Sequence, residues 1–125
     1  MAASVEHYLT ALDKQDWAAL DATLTDGDFE RVGPFRDIVG SRREYVEFLE
    51  RVVSPLGEYH VTPDRVVATE RVVYAEIVES FVHAGEKLAY PEVLVFDLDG
   101  KGLINRVQVF MMRPGEQPPV EGASA

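Results

Sequence analysis

Two glutamates stand where acid/base chemistry could be done. Glu92 lies in a strand-like segment, residues 87–98, where Leu88, Tyr90, Leu94 and Phe96 share its face by alternation. An apolar face penalises the ionised carboxyl, so its pKa should rise and its protonated form can donate. The competing arrangement turns Val93 and Val95 inward and leaves Glu92 solvated. Folding the chain at residues 84–86 sets Glu79 opposite Glu92, with Phe81 opposite Tyr90 and Ile77 opposite Leu94. Like charges directly opposed are unfavourable unless they share a proton or a cation intervenes, which makes Glu79 and Glu92 a candidate acid/base pair. A register displaced by one residue would turn Glu76 inward instead. Tyr8, on the apolar face of a first helix, could donate its phenolic proton into a dry pocket or serve as a core tyrosine. Arg31 and Arg36 could neutralise the glutamates or clamp a ligand carboxylate, a surface salt bridge being the plainer role for Arg36.

Helices and a meander must position these groups. Ser4 can cap a first helix carrying Val5, Tyr8, Leu9 and Leu12, and Asp16 a short second one with Trp17, Leu20 and Leu24. Residues 29–32 read as a short strand and residues 33–40 as irregular, because glycine and proline interrupt any ladder. Ser41 and Glu44 form a capping box ahead of the strongest apolar stripe, Tyr45, Phe48, Leu49, Val52 and Val53, which Ser54-Pro55 ends. From Tyr59 the period becomes strand-like, over residues 59–68, 72–83, 87–98 and 103–113. The short connections predict antiparallel pairing in chain order. The layout is α+β, with three N-terminal helices packed on a curved, mainly antiparallel sheet. Strands this long coil, so the sheet and helices should enclose a cone-shaped interior. Residues 1–113 are expected as a single domain and residues 114–125, rich in Pro and Gly, as a loose tail.

The bulk properties narrow the function. A chain of 125 residues with 46% hydrophobic content builds a single core. Without cysteine there is no disulfide, thiolate nucleophile or Cys-ligated metal. A formal net charge of −10 disfavours nucleic acid and anionic membrane. No apolar run suits a membrane helix and the first residues lack a signal-peptide pattern, so a cytoplasmic location is expected. His7, His60 and His83 lack metal-ligand spacing. Asp97-Leu98-Asp99-Gly100 resembles the start of a calcium loop, but its twelfth position is Gln108, and a hairpin turn explains it better. No glycine-rich phosphate loop is present. No cofactor and no metal are expected.

The run from Val5 to Leu12, the Asp16-Trp17-Ala18-Ala19-Leu20 segment, the Gly40 loop before a capped helix and the closing strand from Gly102 to Phe110 together resemble the NTF2-like superfamily. The resemblance is strongest to its SnoaL-like and ketosteroid-isomerase-like branch and covers about residues 4–113. It implies a cone-shaped α+β barrel, a homodimer through the outer sheet face and a pocket for a small hydrophobic molecule. By the resemblance, Tyr8 falls on the oxyanion-hole tyrosine and Glu92 near the oxyanion-hole acid. Arg31 departs from it, standing about where the steroid-isomerase branch has its aspartate base, so that Asp37 or Glu30 would have to act instead. Two carboxylates and an arginine also resemble the epoxide-hydrolase branch, without its spacing. The candidate catalytic set is therefore Tyr8, Glu79, Glu92, Arg31 and Asp37. The candidate ligand-lining set is Trp17, Phe35, Ile77, Phe81, Tyr90, Leu94, Phe96 and Phe110. The expected function is a cofactor-free isomerase, cyclase or epoxide-hydrolase-type enzyme, or alternatively a non-catalytic binding or accessory dimer. A third possibility is a dimerising scaffold using Val93, Val95, Val107 and Val109 as one outer face.

Overall fold

The computed structural model describes residues 3–113, and the expected tail lies outside the described residues. Three helices, α1 (Ala3–Lys14), α2 (Trp17–Asp21) and α3 (Arg42–Val53), accompany six strands. These are β1 (Glu30–Val32), β2 (Ile38–Val39), β3 (Gly57–Ala68), β4 (Val72–His83), β5 (Glu86–Leu98) and β6 (Ile104–Met111). The strands form one curved sheet in the order β2-β1-β6-β5-β4-β3, left unclosed between β2 and β3. Pairing is antiparallel except for β1 beside β6.

Helices α2 and α3 start where the sequence satisfies free backbone donors. Asp16 accepts from Ala19 N at 3.1 Å, and Ser41 accepts from Glu44 N at 3.2 Å. Ser4 differs from the expectation: it lies inside the first turn of α1, and its hydroxyl donates to the Gly102 carbonyl at 2.7 Å. Ser41→Ala should cost about 1 kcal/mol through the lost cap, read as a lower urea midpoint at unchanged slope.

The core lies between the helices and the inner sheet face, with Val5, Tyr8, Leu20, Tyr45, Val73, Phe96, Ile104 and Val107 almost fully buried. The inner face of β5 carries Glu92, Leu94, Phe96 and Leu98, which settles the choice against a buried Val93/Val95 face. Across from it, Met111, Val109 and Val107 pair with Glu92, Leu94 and Phe96. Val107 and Val109 therefore face inward, and Val93 and Val95 do not share their face, which corrects the four-valine outer surface.

The register of β4 on β5 differs by two residues from the expected one. Ile77 faces Glu92 and Tyr90 faces Glu79, because the connection is the tight two-residue loop Ala84-Gly85 closed by His83 and Glu86. Both loop residues have positive φ, 52° and 78°, as a right-twisted hairpin requires. A shift of two keeps every side chain on its face, so Glu79 and Glu92 become diagonal inner neighbours. The stretch expected to be irregular contains β2, which folds back on β1.

Candidate functional site

An inner cavity of about 180 Å³ lies between α1, α3 and the sheet. Leu12, Phe48, Leu49, Val53, Ile77, Leu94, Val109 and Met111 make most of its wall apolar, and its polar groups are Tyr8, Tyr45, Arg31, Glu79 and Glu92. The volume is comparable to the roughly 150 Å³ apolar cavities that take up benzene.

Glu92 is 7% exposed, and its Oε2 is buried without a hydrogen-bond partner. Burial raises its pKa, the neighbouring Glu79 adds to this through hydrogen bonding and like charge, and Arg31 opposes them; the net effect carries it to about 9. The carboxyl is thus neutral at physiological pH and holds a transferable proton. Glu79 receives the Tyr59 hydroxyl as a hydrogen-bond donor. Burial first, and then the Glu79 charge, push the Tyr59 phenol far up, so it remains a donor. Tyr59 does not line the cavity and fixes Glu79 from behind.

Tyr8 and Tyr45 are hydrogen-bonded to each other at the cavity wall. Burial raises the Tyr8 phenol well above its ordinary value and Tyr45 to about 12. Each phenol has one proton, so a pair that shares one retains another for a ligand oxygen. Tyr8 and Phe96 meet edge to face, their ring centroids 5.1 Å apart and their planes at 73°. Phe29 stacks on Tyr45, also at 5.1 Å.

Arg31 is 9% exposed, with its guanidinium carbon 4.7 Å from the centroid of Phe48. Its Nη1 donates to Asp37 Oδ2 at 2.7 Å. Burial alone would raise Asp37, but backbone hydrogen bonds and the Arg31 guanidinium outweigh it and hold the carboxyl below its ordinary range. Gly33 makes room for this pair: a Cβ there would clash with the Asp37 carboxylate and the Arg31 guanidinium.

Of the sequence-derived candidates, the cavity wall brings together Tyr8, Arg31, Glu79, Glu92, Ile77 and Leu94. Phe96 lies beneath, against Tyr8. Asp37 is half-exposed and engaged by Arg31, away from the wall. Trp17 packs on the core from α2. Phe81 and Tyr90 pair with each other at 5.8 Å and do not reach the wall. Phe35, 71% exposed, and Phe110, 55% exposed, are not at the cavity. Phe35 sits in the exposed turn after β1, and Phe110 points outward because β6 presents Val107, Val109 and Met111 to the interior. Arg36 does not line the cavity either. Asp99, in the calcium-like run, accepts from Lys101 N, Leu103 N and the Thr25 hydroxyl, as a turn residue.

Sequence reasoning missed Tyr45, Tyr59 and Phe48 as parts of the site. Tyr45 and Phe48 belong to the apolar stripe of α3, and Tyr59 is the first inward residue of β3, so alternation marked them only as core. Their signal was chemical: each tyrosine on an inward face carries a hydroxyl that burial obliges to find a partner.

Three helices on a six-stranded open sheet, with an inner cavity of tyrosines and carboxylates, define a ketosteroid-isomerase-like α+β fold. The SnoaL-like domain model matches residues 5–107, and the chain belongs to that family. Among solved structures, a candidate ketosteroid isomerase from Kribbella flavida is 21% identical, with 97% of this chain and 84% of that one covered at a TM-score of 0.75. An LEH-like epoxide hydrolase from M. tuberculosis is 22% identical over 89% and 81% of the two chains, TM-score 0.77. A candidate SnoaL-like polyketide cyclase from Shewanella denitrificans is 16% identical over 87% and 88%, TM-score 0.77. At these identities the likeness establishes the fold alone. No curated protein matches the chain. No helix among the described residues is long and apolar enough to cross a membrane.

Proposed function

We propose that this protein is a cofactor-free enzyme that carries out general acid/base chemistry on a small, largely apolar molecule in the inner cavity. The observation that carries this reading is Glu92: a buried carboxyl with an unpartnered oxygen, lining the cavity beside a second carboxylate. In this reading Glu92 is the proton donor and Glu79, held by Tyr59, is the base. For epoxide opening, Glu79 takes a proton from water, the water oxygen attacks carbon, the C–O bond breaks and Glu92 protonates the departing oxygen. For double-bond migration, Glu79 removes a carbon-bound proton while Glu92 or the Tyr8–Tyr45 pair hydrogen-bonds the developing oxyanion; the protonated Glu79 then delivers that proton to the far carbon of the dienolate as the carbonyl re-forms. The relatives named for isomerase, cyclase and epoxide-hydrolase activities share this fold, which supports the class and leaves the choice to experiment.

The test is a panel of small monocyclic epoxides, enones and cyclisable oxo esters, assayed for turnover over pH. A turned-over substrate should show a rate that falls as pH rises through about 9, where Glu92 loses its proton. A rate independent of pH in that region would remove Glu92 from the acid role.

One observation favours a second reading, a binding domain without turnover: the residue that β1 brings to the cavity wall is Arg31 and not a carboxylate, and Asp37 is tied to it. Binding of panel members without any reaction would decide for that reading. Under either, the proposed setting is cytoplasmic, with a small molecule and no nucleic acid as partner. Homodimerisation is proposed through the outer face, where Tyr74 is exposed on β4 and Phe110 on β6. Sedimentation of a monomer at micromolar concentration would contradict it.

A further inference from the structure

Among the described residues Arg31 is the one cation lining the inner cavity, and only part of its fork is used. Nη1 is engaged by Asp37 Oδ2, whereas Nε and Nη2 make no hydrogen bond among the described residues. Both keep some solvent access on a residue whose side chain is 11% exposed. Neither Glu79 nor Glu92 forms an ion pair with Arg31. Phe48 beneath the guanidinium and Gly33 beside Nη1 hold the fork in place.

A guanidinium edge with Nε–H and Nη2–H side by side matches the two oxygens of a carboxylate. The rest of the wall is apolar, and its volume suits a body of about one ring. We propose that the ligand of this cavity is an organic monocarboxylate of about single-ring size, its carboxylate seated on the Nε/Nη2 edge of Arg31 and its apolar body directed toward Glu79 and Glu92. This deepens the acid/base reading and rests on the inner cavity being the ligand site. Glu92, held neutral by burial and by Glu79, adds no repulsion, so the ligand meets one inner carboxylate and one guanidinium. The chain's −10 charge slows an anion's approach, so the association rate should rise with salt.

Benzoate and its neutral isostere benzamide distinguish charge from shape. Calorimetric titration of the full chain should give benzoate about 10- to 100-fold tighter binding than benzamide, the range for hydrogen bonds to a charged group. Arg31→Met should abolish the preference for benzoate over benzamide. Arg31→Lys, which keeps the charge without the fork, should recover part of the difference and guards against a misfolded methionine variant. Glu92→Gln should still bind benzoate, which separates this proposal from the acid/base assignment. Equal affinities for benzoate and benzamide would overturn the carboxylate proposal and leave the acid/base reading standing. Binding of neither, beside turnover of a neutral epoxide or enone, would also overturn it. Benzoate binding undiminished in both Arg31 variants would place the anion elsewhere and overturn it as well.

Discussion

Glu92→Gln is expected to slow turnover by about 10²- to 10⁴-fold, the usual contribution of a positioned proton donor, and to stabilise the fold above neutral pH. The second effect follows from the direction of the Glu92 shift. Its folded pKa is raised to about 9, whereas an unfolded glutamate titrates near about 4.3. Between those values the folded state binds more protons than the unfolded one, so stability falls as pH rises. The contribution is complete below the unfolded pKa and is lost as pH rises through the folded one, the reverse of a salt-bridged carboxylate. Glutamine keeps the shape of the protonated acid, and its N–H can donate to Glu79 without ever ionising. The variant should therefore gain about 1–4 kcal/mol over the parent at pH 8 and little at pH 4. Urea midpoints at the two pH values measure this. A variant less stable than the parent at pH 8 would mean that the buried carboxyl is not held protonated.

Phe96→Ala is expected to have the largest effect on stability. Phe96 is fully buried, faces Val73 and Val107 on its two neighbouring strands and meets Tyr8 edge to face. Removing it should cost about 3–5 kcal/mol through lost transfer energy and the void left behind. Against a total of about 5–15 kcal/mol for a typical domain, that is a large share. The void would also loosen the support of the Tyr8–Tyr45 pair. Equilibrium urea unfolding at pH 6 checks the magnitude; a loss below about 1 kcal/mol would mean that the ring is not packed as described.

Much of the fold was legible because periodicity and punctuation agree. Asp16 and Ser41 cap the helices as their types predict, the Pro55 break ends α3, and inward alternation placed Glu92 with Leu94 and Phe96. Pairing register was less legible, since it is set by loop length and two successive positive φ values at Ala84 and Gly85, and alanine does not announce such a conformation. The parallel contact of β1 with β6 is long-range and leaves no local trace. At the site, the two carboxylates and Tyr8 could be found because polar groups stand out on apolar faces. Tyr45 and Tyr59 could not be separated from core, because tyrosine fits an apolar stripe and only the third dimension shows its hydroxyl partner. Phe35 and Phe110 look like ligand-lining aromatics by type, but a turn and the parity of β6 place them away from the inner cavity, along a separate cleft over β1 and β6.

The central claim is that a carboxyl in this cavity stays protonated at physiological pH. Carbon-13 NMR titration of the glutamate side-chain carboxyls, with Glu92 assigned by the signal missing in Glu92→Gln, tests it most directly. The expected result is a Glu92 midpoint at about 9. A single Glu92 transition in the ordinary carboxyl range near about 4.3 would contradict the account.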